Sequence, residues 1–270
     1  MSQDMIVAPP SFMMNPEYAK EGTDLLNQYI KPARLKIVQA TSSKQFLDLF
    51  GAGDSVAVPM NQLIAKFAKD GPAAFHFIPL LFYPEWICWN PLELRGMLNP
   101  IRERSLDPQS KIAAMARNFD RRNSEVCPEM PKKDNKDLFL RYNEHLNFVV
   151  VLLGKNELPD IPIVISFSSG EHKSGSNFAA LIRTRQNAIY GNQFAGVVRH
   201  RTNAKGNWYG IDVENPKTES GVLPFVMDEA VFTKYREMHL KLRKAYEDQA
   251  IIVDHDDGDN FDGGAPDIKC

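Results

Sequence analysis

Cysteine is scarce: Cys88, Cys127 and Cys270 are all that 270 residues contain. None forms a CxxC pair, so the sequence carries neither a disulfide framework nor closely spaced zinc ligands. Long apolar runs are missing too. The longest, residues 148–153, falls far short of the ~20 residues a membrane helix needs. The opening residues hold no basic stretch followed by an apolar one, so no secretory leader is expected. Gly 16 and Pro 18 recur without period, which excludes a collagen-like chain. There is no internal repeat, nucleophile elbow or dinucleotide fingerprint, and Gly51-Ala-Gly-Asp54 lacks the Lys-Ser/Thr of a phosphate loop and reads as a turn. These absences point to a cytoplasmic protein that uses no membrane, metal or cofactor. With 43% hydrophobic and 24% charged residues, the chain has ordinary globular composition and length enough to bury a sizeable core.

Charge is unevenly spread. The net −2 divides into −5 on residues 254–269 and +3 on the rest. Residues 171–210 carry Lys173, Arg183, Arg185, Arg199, Arg201 and Lys205 against Glu171 alone. Opposite charge blocks of this kind bear on partners rather than on fold.

Along the chain, residues 1–30 read as a flexible arm with one short helix near 17–28. Residues 31–225 read as a mainly β core of α+β class: an OB-like small barrel, or a curved antiparallel sheet, with helical insertions. Strands are expected at 35–39, 55–59, 148–153 and 161–167. Residues 75–89 hold six of the 27 aromatics, and Pro79 and Pro84 suggest two short bent strands. Their density favours core, although Tyr83, Trp86 or Trp89 offers a second stacking surface. Residues 90–145 read as an insertion with short helices, one at 110–117. Ser174 is placed to cap a helix over 177–186. A C-terminal helix spans 226–250, its regular part 228–249, with Tyr235, Met238, Leu242, Ala245 and Tyr246 in one stripe. Residues 251–270 read as a disordered acidic tail.

The most informative segment is a hairpin over 193–202 and 207–213 about Asn203-Ala-Lys-Gly206. If Thr202 opposes Asn207, one face collects Phe194, Val198, Tyr209, Ile211 and Val213, and the other collects Arg199, Arg201 and Trp208. A one-residue slip scrambles this sorting, which supports the register. Guanidinium groups beside a large ring suit single-stranded nucleic acid, whose phosphates need positive charge and whose bases stack on rings. The competing reading is a cation–π contact on an ordinary solvated face.

The basic hairpin and the Gly/Asp-rich stretch Asp254–Asp267 together resemble bacteriophage-type single-stranded-DNA-binding proteins. The resemblance implies an OB-fold body that holds the strand and acts without catalysis in replication or recombination. Lys173, Arg183, Arg185, Arg199, Arg201, Lys205 and Trp208 are then expected to bind DNA. Asp254, Asp256, Asp257, Asp259 and Asp262 are expected to recruit replication proteins, and homo-oligomers are admitted. Two alternatives stand beside it. One is a structural or assembly protein of a virion or other lattice. The other is a metal-dependent nuclease, since Pro159-Asp160 and Glu171-His172-Lys173 match the PD…(D/E)xK spacing, with carboxylates for Mg²⁺ and a lysine to orient water. A zinc site from Cys88, Cys127, His145 and His172 lacks paired ligands, and buried thiols with hydrogen-bonded histidines are the simpler reading.

Overall fold

Residues 75–89 form one unbroken strand, not two short bent ones. The computed structural model describes residues 32–68, 74–94, 96–118, 120–154, 161–203, 206–216, 224–253 and 255, all within one compact unit, Pro32–Cys270. The arm at 1–30 with its expected helix, Lys205, Asp160 and all of the acidic stretch except His255 lie outside the described residues.

The elements in chain order are β1 (Ala33–Ile37), α1 (Lys44–Leu49), β2 (Ser55–Val58), β3 (Gln62–Ala65), β4 (Phe75–Trp89), β5 (Ile101–Ser105) and α2 (Lys111–Arg117). A short ribbon, β6 (Lys132–Lys133) and β7 (Lys136–Asp137), follows. Then come β8 (Arg141–Leu152), β9 (Pro162–Ser168), α3 (His172–Thr184), β10 (Phe194–Asn203), β11 (Gly206–Glu214) and α4 (Glu229–Glu247). The expected strands, hairpin and C-terminal helix are present. So is α2, capped by the Ser110 side chain on the backbone N–H of Ala113 at 3.2 Å. Ser174 does not cap: α3 starts two residues before it, and Ser174 sits buried in the first turn.

The large sheet has the order β11-β10-β4-β8-β9-β1-β2-β3, with β5 also on β4. The β1–β9 pairing is parallel and the others are antiparallel. The class is mainly β, a curled mixed sheet forming a half-barrel. The prolines of β4 are tolerated because β10 pairs only with Phe75–Phe77 and β5 only with Trp86–Trp89. Pro79 and Pro84 fall between these, where only β8 pairs with the strand, and the register shifts beside Pro79. Trp86 and Tyr83 are buried in packed clusters and so are core rather than stacking surfaces, while Trp89 at the strand's end is half-buried.

One buried cluster joins Leu35 of β1, Ile64 of β3, Phe77, Phe148, Phe167, Phe194 and Ile211 of β11. Strands from both ends of the sheet share a cluster only if the sheet curls toward that face. Phe178 of α3 fills this concave side, with its ring 4.4 Å from Phe148, 5.1 Å from Phe194 and 5.7 Å from Phe77. On the convex side, α4 docks through Tyr235, Met238, Leu242, Ala245 and Tyr246, the stripe read from the sequence. The insertion has its own small core of Trp86, Cys88, Leu94, Ile112, Cys127, Leu138 and Tyr142.

Phe178 is wholly buried and touches rings from three strands, so truncation leaves a cavity that the sheet cannot close. Phe178→Ala is expected to lower unfolding free energy by about 3–5 kcal/mol, measured by urea denaturation.

Candidate nucleic-acid interface

The β10–β11 hairpin has the register that side-chain sorting predicts. Thr202 opposes Asn207, Arg201 opposes Trp208, Arg199 opposes Gly210 and Val198 opposes Ile211. The face that carries the cations is nevertheless not an open surface. Trp208 is 7% exposed, and its Nε1 donates to Glu171 Oε1 at 2.8 Å. Arg201 Nη2 lies 3.2 Å from Glu171 Oε2 and 2.8 Å from Asp212 Oδ1, and donates to Ser174 Oγ at 2.9 Å. Arg199 is paired with Asp212 at 3.2 Å and with Glu214. Two guanidinium groups thus meet three carboxylates, so both cations are paired on this face.

Glu171 organises this face. It ends the 3₁₀ turn Ser169–Glu171 that leads into α3. Its carboxylate fills the space beside Gly210, where an added Cβ would come within 2.3 Å of it. The other oxygen accepts the backbone N–H of Ile211 at 3.2 Å, so Glu171 also covers the outer edge of β11. Burial pushes its carboxyl above the ordinary range, against the pull of the Trp208 and Arg201 contacts. Trp208 is therefore corrected from a solvent-facing ring to a buried anchor. The reason is a partner remote in sequence: α3 brings in a carboxylate that matches the indole N–H.

Of the other residues expected to bind DNA, Lys173 and Arg183 are exposed on α3. The Arg185 guanidinium lies over Phe194 at 5.0 Å and Phe225 at 5.5 Å and donates to Asn215 Oδ1 at 2.7 Å, a packed position. Lys205, Asp254, Asp256, Asp257, Asp259 and Asp262 lie outside the described residues.

The rings that remain accessible are on the opposite face of the hairpin. His200 is exposed and faces half-buried Tyr209 across the ladder, with centroids 5.1 Å apart. Half-buried Phe67, just past β3, meets Tyr209 edge-on at 5.0 Å. The Tyr209 and Phe67 backbones are held from behind. Gln39, just past β1, accepts the backbone N–H of Tyr209 at 2.9 Å and donates to its carbonyl at 2.8 Å. Asp54 accepts the N–H of Phe67 at 2.8 Å. Gly53, at φ +94°, leaves room for the Phe67 ring, which an added Cβ would meet at 2.6 Å. Exposed Lys66 adjoins Phe67. Sequence reasoning places Tyr209 on the apolar face and passes over His200. The register itself holds the signal for that pair. Phe67 arrives from the other end of the sheet, and no local pattern announces it.

The second half of the nuclease pattern stands on the 3₁₀ turn and the first turn of α3, with Glu171 engaged as described and Lys173 exposed. His172 Nε2 is 2.8 Å from Glu144 Oε2, and Glu144 also accepts the Trp86 indole N–H at 3.1 Å. Cys88 and Cys127 are buried free thiols in the insertion's core. Among the described residues no group of three His, Cys, Asp or Glu side chains is arranged to hold a metal ion. Nor is any described helix long and apolar enough to cross a membrane.

In comparisons with known proteins, the Pam3 phage gp34-like protein family profile matches residues 3–245. No curated protein and no solved structure matches the chain.

Removing the Glu171 carboxylate leaves the buried Trp208 indole N–H and the Ile211 amide without their acceptor and takes one carboxylate from Arg201. Glu171→Ala is expected to cost about 2 kcal/mol or more of stability, read as a lower urea midpoint with unchanged slope.

Proposed function

The chain belongs to the Pam3 phage gp34-like protein family, and on that premise we propose that it is a phage single-stranded-DNA-binding protein that acts without catalysis. The observation that carries this reading is the ring run His200–Tyr209–Phe67, whose neighbouring centroids lie 5.0–5.1 Å apart at the rim where the two ends of the curled sheet meet. Unpaired bases stack on accessible rings whatever their identity, at roughly 1–3 kcal/mol per base. Rings already held by Gln39, Asp54 and Gly53 lose little freedom when they bind.

Positive charge for the phosphates comes from exposed Lys66, Lys173 and Arg183. Arg199, half exposed, sits in surface ion pairs of the kind that contribute little and can exchange partners. In this reading Trp208 and Arg201 hold the hairpin in shape and do not touch DNA. The acidic residues that follow His255 in the sequence serve as the segment that recruits replication proteins.

Fluorescence anisotropy with a labelled single-stranded oligonucleotide at two salt concentrations tests this. Tyr209→Ala and His200→Ala are each expected to weaken binding about 5- to 150-fold with little change in salt slope, because stacking releases few counterions. Lys66→Ala is expected to make the slope shallower by about one phosphate contact. Trp208→Phe is expected to bind like wild type while losing stability. Absence of binding at low salt, or loss through Trp208→Phe with none through Tyr209→Ala, would overturn the proposal.

A further inference from the structure

The convex face carries a buried polar group that the ring site does not use. Glu85 and Tyr83 of β4 lie opposite His145 and Asn147 of β8, and Asn147 lies opposite Ser166 of β9. Residues past α4 close over them. Ile251 and Val253 pack with Leu81, Tyr83, Val149 and Val164. The Arg104 guanidinium donates to the Val253 carbonyl, and His255 Nε2 is 2.8 Å from Glu85 Oε2. The composition assigns 251–270 to a tail, yet Val253 is wholly buried and His255 only 3% exposed. The folded body therefore extends at least to His255.

We propose that residues 251–253 and His255 form a detachable clasp on the convex face, closed near neutral pH and opened by mild acid. The geometry turns on His145. It is 3% exposed, its ring lies 4.3 Å from that of His255, and its Nδ1 is 3.3 Å from Ser166 Oγ. Its buried Nε2 has no hydrogen-bond partner. The carboxylate beside it, Glu85, is already committed to His255, to Asn147 at 3.1 Å and to Arg104 at 3.3 Å. An imidazolium at His145 would have burial and the charge of His255 against it, with Arg34 of β1 and Arg104 of β5 adding to the repulsion and only Glu85 in its favour. His145 is thus held neutral, well below its usual proton affinity. Tyr83, whose phenol is pushed further up by burial, stays neutral and takes no part.

Lifting the clasp admits water and removes His255, so an opened His145 regains its ordinary affinity, near pH 6.5. The sign follows from linkage. A histidine whose affinity is lowered in the closed state stabilises that state above pH ~6.5, and the stabilisation is lost as pH falls below it. Glu85 works the other way, because burial raises its proton affinity and its protonation therefore favours closure. This gain sets in as pH falls through the raised closed-state value of Glu85, so acid opens the clasp where the loss at His145 outweighs it.

Hydrogen exchange of the amides at 251–253 and 255 in the full chain, corrected for intrinsic rates, tests the clasp. Protection is expected to fall roughly tenfold per pH unit below about pH 6.5, while β8 and β9 stay protected. In His145→Asn the fall should disappear. Should that variant fail to fold, NMR titration of wild-type His145 decides: the clasp requires its ring to stay neutral while the amides are protected. Protection that does not fall with acid, an unchanged fall in His145→Asn, or ordinary titration of His145 under a closed clasp would overturn the proposal.

Discussion

The curl of the sheet is the constraint on which the rest depends. An eight-strand path with two free ends would expose one row of backbone groups along β11 and another along β3. The β11 row is covered by side chains that come from elsewhere. Gln39 takes both the N–H and the carbonyl of Tyr209, and Glu171 takes the N–H of Ile211. The aromatic cluster around Phe178 draws the sheet toward one face, and these polar contacts fix how far it closes. Apolar burial supplies most of the energy but little direction, while the hydrogen bonds are directional and set the register of one end against the other.

That closure explains why the Arg–Trp face of the hairpin is not the open surface expected of it. The Arg–Trp face turned inward because α3, packed beside β11, carries Glu171 and Ser174 to it. The face that continues the core runs out of apolar cover at the rim, and there His200, Tyr209 and Phe67 meet water. A ring beside an arginine is as good a structural joint as a binding platform. A buried carboxylate nearby decides between the two, since an indole N–H enclosed in protein needs an acceptor.

The convex side follows a related logic. A polar group of Glu85, His145 and Asn147 under residues 251–253 and 255 is costly to bury unless its members find partners, and Glu85 finds them in His255, Asn147 and Arg104. The C-terminal segment is thus held by directional contacts as well as by Ile251 and Val253. Such contacts respond to protonation in a way that a purely apolar seam does not.

The sequence by itself determined a great deal of local structure. The hairpin register, the amphipathic stripe of α4, the short helix near 110–117, the buried β8 and β9 and the mainly β class all follow from alternation and helical spacing, which are properties of neighbours along the chain. The curl, the Glu171–Trp208 joint, the seat of Phe67 and the docking of His255 on Glu85 were decided only by tertiary structure. These contacts join residues from 13 to 170 positions apart. No local pattern encodes which carboxylate will reach which indole or imidazole, because that depends on how separately formed elements pack. For the same reason the charge block at 171–210 was legible as composition but its pairing was not: the acids that meet Arg199 and Arg201 include Asp212 and Glu214, which stand beyond the block and reach them only once the hairpin has folded.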